Sequence, residues 1–366
     1  LAMITYKFKI SAKQTQKDKI IETISLCRWL YNTALEQRIL LYREKKQSLS
    51  FYTQKKELPL LKKEFPIFKT VHSQVLQNVL ERLDKAYKGF FGRIRKEQKA
   101  GFPRFKGTNR FHSFTYPQSG FELKGNVLKL SKIGDVRIRR HRKIAGKIKT
   151  CTIIHKNGNF FVCFACETTK VAVPALPKKS VGVDLGVQHL AITSDGEIFE
   201  NPKHLRKNER KLKRLQRSVS KKKKGSNRRK KAVRLLAKLH EHIANKRRDT
   251  SHKVSRKLVN EYDLIVFENL NVQGMVKNHH LAKSITDSAW RNLIDLTLYK
   301  AENAGKRVVL VNPYNTSQMC SECGTIVKKT LKERVHSCSC GYIEDRDINA
   351  AKNILQLGLS TIKTVI

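Results

Sequence analysis

Long apolar runs, a leader segment and acidic residues are what this chain of 366 residues has least of. No stretch approaches the roughly 20 consecutive apolar residues that a spanning helix needs, so a transmembrane protein is not expected. No basic n-region, apolar h-region and cleavage site open the sequence, which points to the cytosol. Leu1 and Ala2 stand ahead of Met3. In a reducing compartment the eight cysteines are expected as metal ligands or free thiols rather than disulfides. Only 30 Asp and Glu face 76 Lys and Arg, a formal charge of +46. Such a chain repels itself unless a polyanion neutralises it, so nucleic acid is the leading partner and an anionic membrane surface the rival. A 40% hydrophobic content over this length allows roughly two or three domains, each with a core.

What is present divides into three textures. The opening "MITYKFKI" alternates apolar residues with lysine and reads as a strand. From about residue 18 to 44, Ile20, Ile24, Cys27, Tyr31, Ala34 and Leu35 recur at helical steps. A second helical stretch over residues 72–99 carries Val75, Val79, Leu83, Ala86, Phe90 and Ile94, and ends near the breaker cluster Gly101-Phe102-Pro103. Residues 11–106 are therefore expected as a mostly helical insertion. From Phe111 to Glu167 the alternation becomes that of antiparallel strands, with Lys156-Asn157-Gly158-Asn159 as a hairpin turn. The N-terminal strand is expected to complete that sheet. After a linker with Pro174 and Pro177, "SVGVDLGVQHLAITSDGEIFE" reads as two strands joined by a Ser-Asp-Gly turn.

Residues 203–257 hold 24 Lys or Arg and three acids. Leu212, Leu215 and Val219 form one apolar stripe, and Val233, Leu236, His240 and Ile243 another that continues through Val254 and Leu258. "KKKKGSNRRKK" lies between them, so a basic helical hairpin is expected. A charge run is often only a solvated face. Here too few acids are available to pair with it, and contact with phosphates is the better account. Lys221, Lys222, Lys223, Lys224, Arg228, Arg229, Lys230 and Lys231 at the turn are the candidate nucleic-acid contacts.

Three carboxylates stand at the ends of elements. Asp184 ends the run "SVGVD", and Glu268 ends "LIVFE", whose apolar residues suit a strand buried on both faces. The C-terminal ends of such strands are where α/β sheets place their sites. Asp347 precedes Ile348, Ala350, Ala351 and Ile354 and caps or opens a helix. Each acid has an ordinary structural role available: a turn residue before Gly186, a lysine-paired strand end, a helix cap. Together they favour a metal site, because clustered carboxylates repel unless a divalent cation neutralises them. Oxygen ligands suit Mg²⁺ or Mn²⁺, and two such ions can clamp a phosphodiester displacement. An RNase H-like arrangement follows as the expected fold of this half.

Cys320-x-x-Cys323 and Cys338-x-Cys340, with Gly324 and Gly341 behind them, have the spacing of a structural Zn²⁺ site. The second pair is one residue tighter than the usual knuckle, which leaves His336 as a fallback ligand. Cys163 and Cys166 also read C-x-x-C, but residues three apart on a strand face opposite sides and cannot grip one ion. Cys27 and Cys151 read as core residues.

These residues resemble the TnpB family of insertion-sequence proteins, which is related to type V CRISPR effector nucleases. "VGVDLGVQHLAITSDG" looks like the first RuvC-type motif and "IVFENLN" like the second. "NTSQMCSECG…HSCSCGYIEDRDINAAKNIL" is similar to the zinc ribbon followed by the third, and "GFPRFK" matches a recurrent family element. The resemblance implies a multidomain α/β and α+β chain. A β-barrel, wedge-like domain would comprise residues 1–10 and 107–175, interrupted by a helical recognition segment at 11–106. A RuvC-like nuclease domain would fill 176–366, with the basic hairpin 203–260 and a zinc ribbon 312–345 inserted. It also implies an RNA-guided DNA endonuclease of a transposable element in the prokaryotic cytosol or nucleoid, with one chain per RNA. Such a protein would bind an RNA from its element's end, recognise a short motif beside the target and cut double-stranded DNA. The metal-binding acids carried over are Asp184, Glu268 and Asp347; Asp345 matches the non-catalytic Asp of the family's D-R-D pattern. The four ribbon cysteines match the zinc ligands. A catalytic transposase of the RNase H-like class, a nuclease-inactive RNA-guided repressor and a zinc-ribbon RNA-binding protein remain the competing readings.

Overall fold

The computed structural model describes residues 2–169, 171–174, 176–330 and 333–363, with residue 363 described by its backbone alone. Leu1 and the outer ends of the expected ranges 107–175 and 176–366 lie outside the described residues. The chain divides into two units, Leu1–Thr169 and Lys170–Ile366.

The first unit begins with β1 (Ala2–Ser11), then α1 (Gln14–Lys45), α2 (Phe51–Lys56), α3 (Leu58–Glu64) and α4 (Ser73–Ile94). Six strands follow: β2 (Ser113–Tyr116), β3 (Phe121–Lys124), β4 (Val127–Leu130), β5 (Gly134–Arg139), β6 (Lys147–Lys156) and β7 (Asn159–Thr168). They form one antiparallel sheet in the order β2-β6-β7-β1-β5-β4-β3. The N-terminal strand therefore lies inside the sheet, paired with β7 from Ala2↔Thr168 to Ile10↔Phe160. Its Tyr6, Phe8 and Ile10 are buried, and so are Phe160, Val162, Phe164 and Cys166 of β7, the alternation that a half-buried strand requires. Cys163 falls on the opposite face from Cys166, as the strand period demands. At the β6–β7 turn Asn157 and Gly158 both have positive φ, the geometry that favours Asn-Gly. Ile20, Cys27 and Leu35 of α1 and Val75, Val79 and Leu83 of α4 share the sheet's core. The distal part of the expected α4 stripe departs from this pattern: Ile94 is exposed. The pairings among the described residues leave β2 and β3 as edges.

The second unit contains β8 (Ser180–Asp184), β9 (His189–Thr193), β10 (Ile198–Glu200), α5 (His204–Ser220), α6 (Asn227–Glu261) and β11 (Leu264–Glu268). It continues with α7 (Val272–Met275), α8 (His279–Ser288), α9 (Trp290–Asn303), β12 (Arg307–Val311), β13 (Val335–Ser337), β14 (Ile343–Asp345) and α10 (Arg346–Lys363). The five-stranded sheet runs β10-β9-β8-β11-β12. β9 is antiparallel to β8, whereas β8, β11 and β12 are mutually parallel. Three strands thus replace the two expected before the hairpin, because pairing between β8 and β9 stops at Asp184↔Ile192 and residues 185–188 turn the chain.

All five residues of β11 are buried. On one face Ile265 and Phe267 meet Val254, Leu258, Trp290 and Leu293 of α6 and α9. On the other, Leu264 and Val266 meet Ile354 and Ile362 of α10. α10 can lie this close because Gly182 on β8 has no side chain: a Cβ there would collide with Ala351 O and sit 2.7 Å from Leu355 N. The helical hairpin is present as α5 and α6, with a corrected stripe. Val233 and His240 are exposed and Ala232 and Leu239 are buried in their place, while Ile243 is buried as expected. The buried positions keep the four-three-four spacing of one helix face through the half-buried Leu236.

Candidate functional site

Val183 pairs with Phe267 in the parallel ladder, so Asp184 and Glu268 follow each other across the C-terminal edge of adjacent strands. Val183 and Phe267 point into the α6–α9 core, and strand alternation turns the next residues toward the α10 face. α10 starts there, with Asp347 in its first turn. The fold thus brings together the three acids that the sequence singles out, by two strand ends and one helix start. Asp345 is the residue that caps α10: its Oδ1 accepts from the backbone N–H groups of Asp347 (2.8 Å) and Ile348 (3.2 Å). The cap expected of Asp347 therefore falls to its neighbour, and the Asp347 side chain is left for the site. Glu344 pairs with Lys352 at 2.9 Å.

The electrostatics record this proximity. Burial pushes the Asp184 carboxyl up to about 8; the negative charges of Glu268 and Asp347 add to the shift, and Arg346 and the Leu185 N–H oppose it. Glu268, only 7% exposed, is also raised by burial. Its carboxylate accepts a short hydrogen bond from the Thr316 hydroxyl. Asp347 is flanked by Arg346 (3.2 Å) and Arg334 (3.5 Å). The donor set is oxygen only and negative, which fits a hard divalent cation. Among the described residues the group of metal-type ligands drawn tightly together is the four cysteines.

Thr316, Arg334 and Arg346 were not anticipated from the sequence. Arg346 could have been suspected from its place beside Asp347; Thr316 has no local signal, because its partner lies 48 residues earlier. Residues 316–321 are stitched to α10 by buried amides. Asn353 Nδ2 donates to Thr316 O (2.9 Å) and Met319 O (2.6 Å). Asn349 accepts from Ser321 N at 3.0 Å and donates to Met319 O at 2.8 Å.

The sulfurs of Cys320, Cys323, Cys338 and Cys340 all lie within 4.8 Å of one another, with 3.8 Å between Cys320 and Cys340 and 3.5 Å between Cys323 and Cys338. Four thiolates about 2.3 Å from a tetrahedral zinc would have nearly these separations, so the cluster is compatible with a zinc site. The tight second knuckle does not break it. His336, the fallback ligand, is outside the cluster; its buried ring has Nδ1 beside the Lys329 ammonium. Cys27 and Cys151 are core residues, as expected.

The turn between α5 and α6 carries the eight candidate cations. Two of them face inward in part. Arg229 donates to Lys222 O (3.2 Å) and Val219 O (3.4 Å), and Lys222 donates to Ser218. Lys221, Lys223, Lys224, Arg228, Lys230 and Lys231 are exposed. Along α5, Arg210, Lys213, Arg214, Arg217 and Lys221 line an open groove of about 580 Å³. Among the described residues no helix is long and apolar enough to cross a membrane.

Comparison with known proteins places this architecture. The IS605 OrfB model described as "Probable transposase" matches residues 163–279. A "Cas12f1-like, TNB domain" model matches residues 290–354, which include the four cysteines and Asp347. A "Helix-turn-helix domain" model of the IS605 OrfB group matches residues 3–47, where the structure has one strand and a single 32-residue helix. A Streptomyces pristinaespiralis protein named "Putative RNA-guided DNA endonuclease" is 34% identical over 97% of this chain and 89% of its own length. An Escherichia coli protein, "Putative RNA-guided DNA endonuclease InsQ", is 33% identical over 96% of this chain and 92% of its own. In fold, the chain is similar to a solved mini-RNA-guided endonuclease, CRISPR-Cas_phi3, with a TM-score of 0.52 at 10% identity, over 98% of this chain and 92% of the other. A mixed α/β architecture is shared with that effector. With relatives this similar over nearly its whole length, and family models spaced along it, the chain belongs to the TnpB family of IS605 OrfB proteins.

Proposed function

We propose that this protein is an RNA-guided DNA endonuclease of a transposable element, with a RuvC-like site at Asp184, Glu268 and Asp347. One observation carries the reading. In a chain of net charge +46, three carboxylates come together at two strand ends and a helix start, where burial first, and then the charges of Glu268 and Asp347, push the Asp184 carboxyl up to about 8. Nothing in the packing requires that repulsion, and a bound divalent cation would relieve it. A centre of two ions is the arrangement that clamps the attacking and leaving oxygens of a phosphodiester displacement.

Mg²⁺ or Mn²⁺ held there would supply an activated water and neutralise the charge that develops on the phosphodiester. The protein's own groups set the stage. Thr316 fixes the Glu268 carboxylate, Asp345 anchors the first turn of α10, and Arg334 and Arg346 hold Asp347. The exposed cations of the α5–α6 turn grip the phosphate backbone. Sequence is then read by pairing between guide and target, and the protein reads backbone, heteroduplex shape and a short motif beside the target. The antiparallel sheet of the first unit serves as the wedge-like domain, the cysteines hold a structural zinc, and one chain works per RNA. The acids run Asp, Glu, Asp with the cysteines ahead of the last, which is not the order of a DDE transposase ending in Glu. A repressor without nuclease activity would have no use for the assembled acids.

The test uses the protein purified with its RNA and double-stranded DNA matching that RNA. Cleavage is expected only with Mg²⁺ or Mn²⁺. Asp184→Ala should abolish cutting and leave RNA and DNA binding intact. A variant that still cuts would refute the site.

A further inference from the structure

Residues 101–106, GFPRFK, take no part in the carboxylate site or the cysteine cluster. They lie beside an unusual surface. The first half of α4 is core, with Val75, Leu76, Val79, Leu80 and Leu83 buried. Its end is open: Phe91 is 51% exposed, and the returning chain adds Phe102 at 46% and Phe105 at 51%. Phe102 stands edge-on to Tyr87 and Phe90, with centroids 5.5 and 5.3 Å apart and interplanar angles of 85° and 80°. Phe91 packs against the same two rings.

The segment that presents these rings has no regular secondary structure but is pinned. Pro103 is buried. Asn32 of α1 accepts from the Lys106 N–H at 2.7 Å and donates to its carbonyl at 3.0 Å. The Lys106 ammonium lies 5.5 Å from the Tyr31 ring centre. Around the rings, residues 93–106 hold six cations, Arg93, Arg95, Lys96, Lys99, Arg104 and Lys106, against the single acid Glu97.

Half-open aromatic faces on a fixed backbone, inside an excess of positive charge, have the chemistry of a stacking platform: rings take the bases and cations take the phosphates. An apolar protein partner would bury that surplus charge without compensation. Duplex DNA and a guide–target heteroduplex keep their bases stacked on each other, whereas RNA loops, bulges and ends offer splayed bases to aromatic side chains. We infer that the end of α4 and residues 101–106 bind unpaired bases of the bound RNA, with Phe102 and Phe105 as the stacking faces. This rests on the RNA-guided reading and adds the place where unpaired RNA is held.

The experiment measures affinity of the full-length protein for the RNA recovered from its own complex, transcribed in vitro, and for a blunt DNA duplex of equal length. Phe105 has no ring partner among the described residues and is 51% exposed, so Phe105→Ser tests the surface. Phe102→Leu keeps apolar bulk and removes the π face. Each is expected to lower RNA affinity about 5- to 100-fold, the loss of one stacked base, with duplex affinity unchanged. Phe105→Trp is expected to retain wild-type RNA affinity, and ultraviolet crosslinking should join residues 101–106 to the RNA. Wild-type RNA affinity in both variants, or an equal loss on duplex DNA, would overturn the inference. If no RNA of defined sequence copurifies with the wild-type protein, the RNA-guided reading itself has failed.

Discussion

Gly182→Ala should damage the carboxylate site without changing a carboxylate. Gly182 lies on β8, two residues before Asp184, where the backbone of α10 crosses the strand. An added Cβ would meet Ala351 O within contact distance, Leu355 N at 2.7 Å and Leu355 Cβ at 3.0 Å. Ordinary contact needs about 3.5 Å, and Ala351 O is the closest of the three atoms, so α10 must retreat by more than about 1 Å. No flexible side-chain end can yield in its place, because two of the three atoms are backbone. Overpacking of this kind costs about 1–3 kcal/mol. With a urea slope of about 2–3 kcal/mol per molar for a unit of this size, the midpoint should fall by about 0.3–1.5 M. The functional effect should be larger than the stability effect. Asp347 rides on the first turn of α10, and misplacing a reacting geometry by about 1 Å can cost about 100-fold in rate. The assay is single-turnover cleavage of a matched duplex at saturating Mg²⁺, well below the unfolding temperature, with RNA binding and zinc content as controls. Cleavage at the wild-type rate in a folded Gly182→Ala protein would show that α10 does not set the spacing of the acids.

Three further outcomes follow from the same geometry. Cys323→Ser should lose about one equivalent of zinc on elemental analysis and lower thermal stability; unchanged zinc content would exclude the four-cysteine site. Affinity for DNA should fall about 1,000-fold between 50 and 200 mM salt if the six exposed cations of the α5–α6 turn each meet a phosphate, and replacing Lys221, Lys223 and Lys224 by Ala should flatten the slope by about 3. A salt response unchanged by those substitutions would remove the turn from the interface. Asn353→Leu leaves the buried Thr316 carbonyl without its amide, at a cost of about 1–3 kcal/mol, and should slow cleavage with zinc retained; an unaltered rate would show that Thr316 needs no such support.

Local signals made much of this legible. The alternation in "MITYKFKI", the Asn-Gly turn and the helical spacing of α1 are short-range patterns, and each element formed where its pattern lies. Cys320, Cys323, Cys338 and Cys340 could be grouped because chelate spacing is itself local within each pair. The reading lost accuracy where the partner is remote. The stripe of α6 lies one residue earlier than the sequence pattern indicates at two positions, Ala232 for Val233 and Leu239 for His240, because helical period alone does not fix which of two adjacent residues is covered. The sequence pattern points to Asp347 as the residue that caps or opens the helix; it lies in the first turn, and the cap itself is Asp345, two residues earlier. The demand for glycine at 182 comes from Ala351 and Leu355, far along the chain. Thr316 bonds Glu268 for the same kind of reason.

The sequence places acids directly behind metal knuckles in a very basic chain, and the structure explains the adjacency. The polypeptide leaves β12 beside Glu268, makes the cysteine cluster, and returns at β14 to start α10 with Asp345 as cap and Asp347 in the first turn. The segment that enters the cluster carries Thr316, which holds Glu268, and is bound to α10 through Asn349, Asn353 and Gln356. One stretch of backbone therefore touches both remote carboxylates of the site, directly at Glu268 and through α10 at Asp347. This arrangement links the placement of the acids to the fold of the cysteine cluster. If the ribbon lost its fold, Thr316 and the amide clamp would lose their anchor, and the acids would repel with nothing left to fix their spacing.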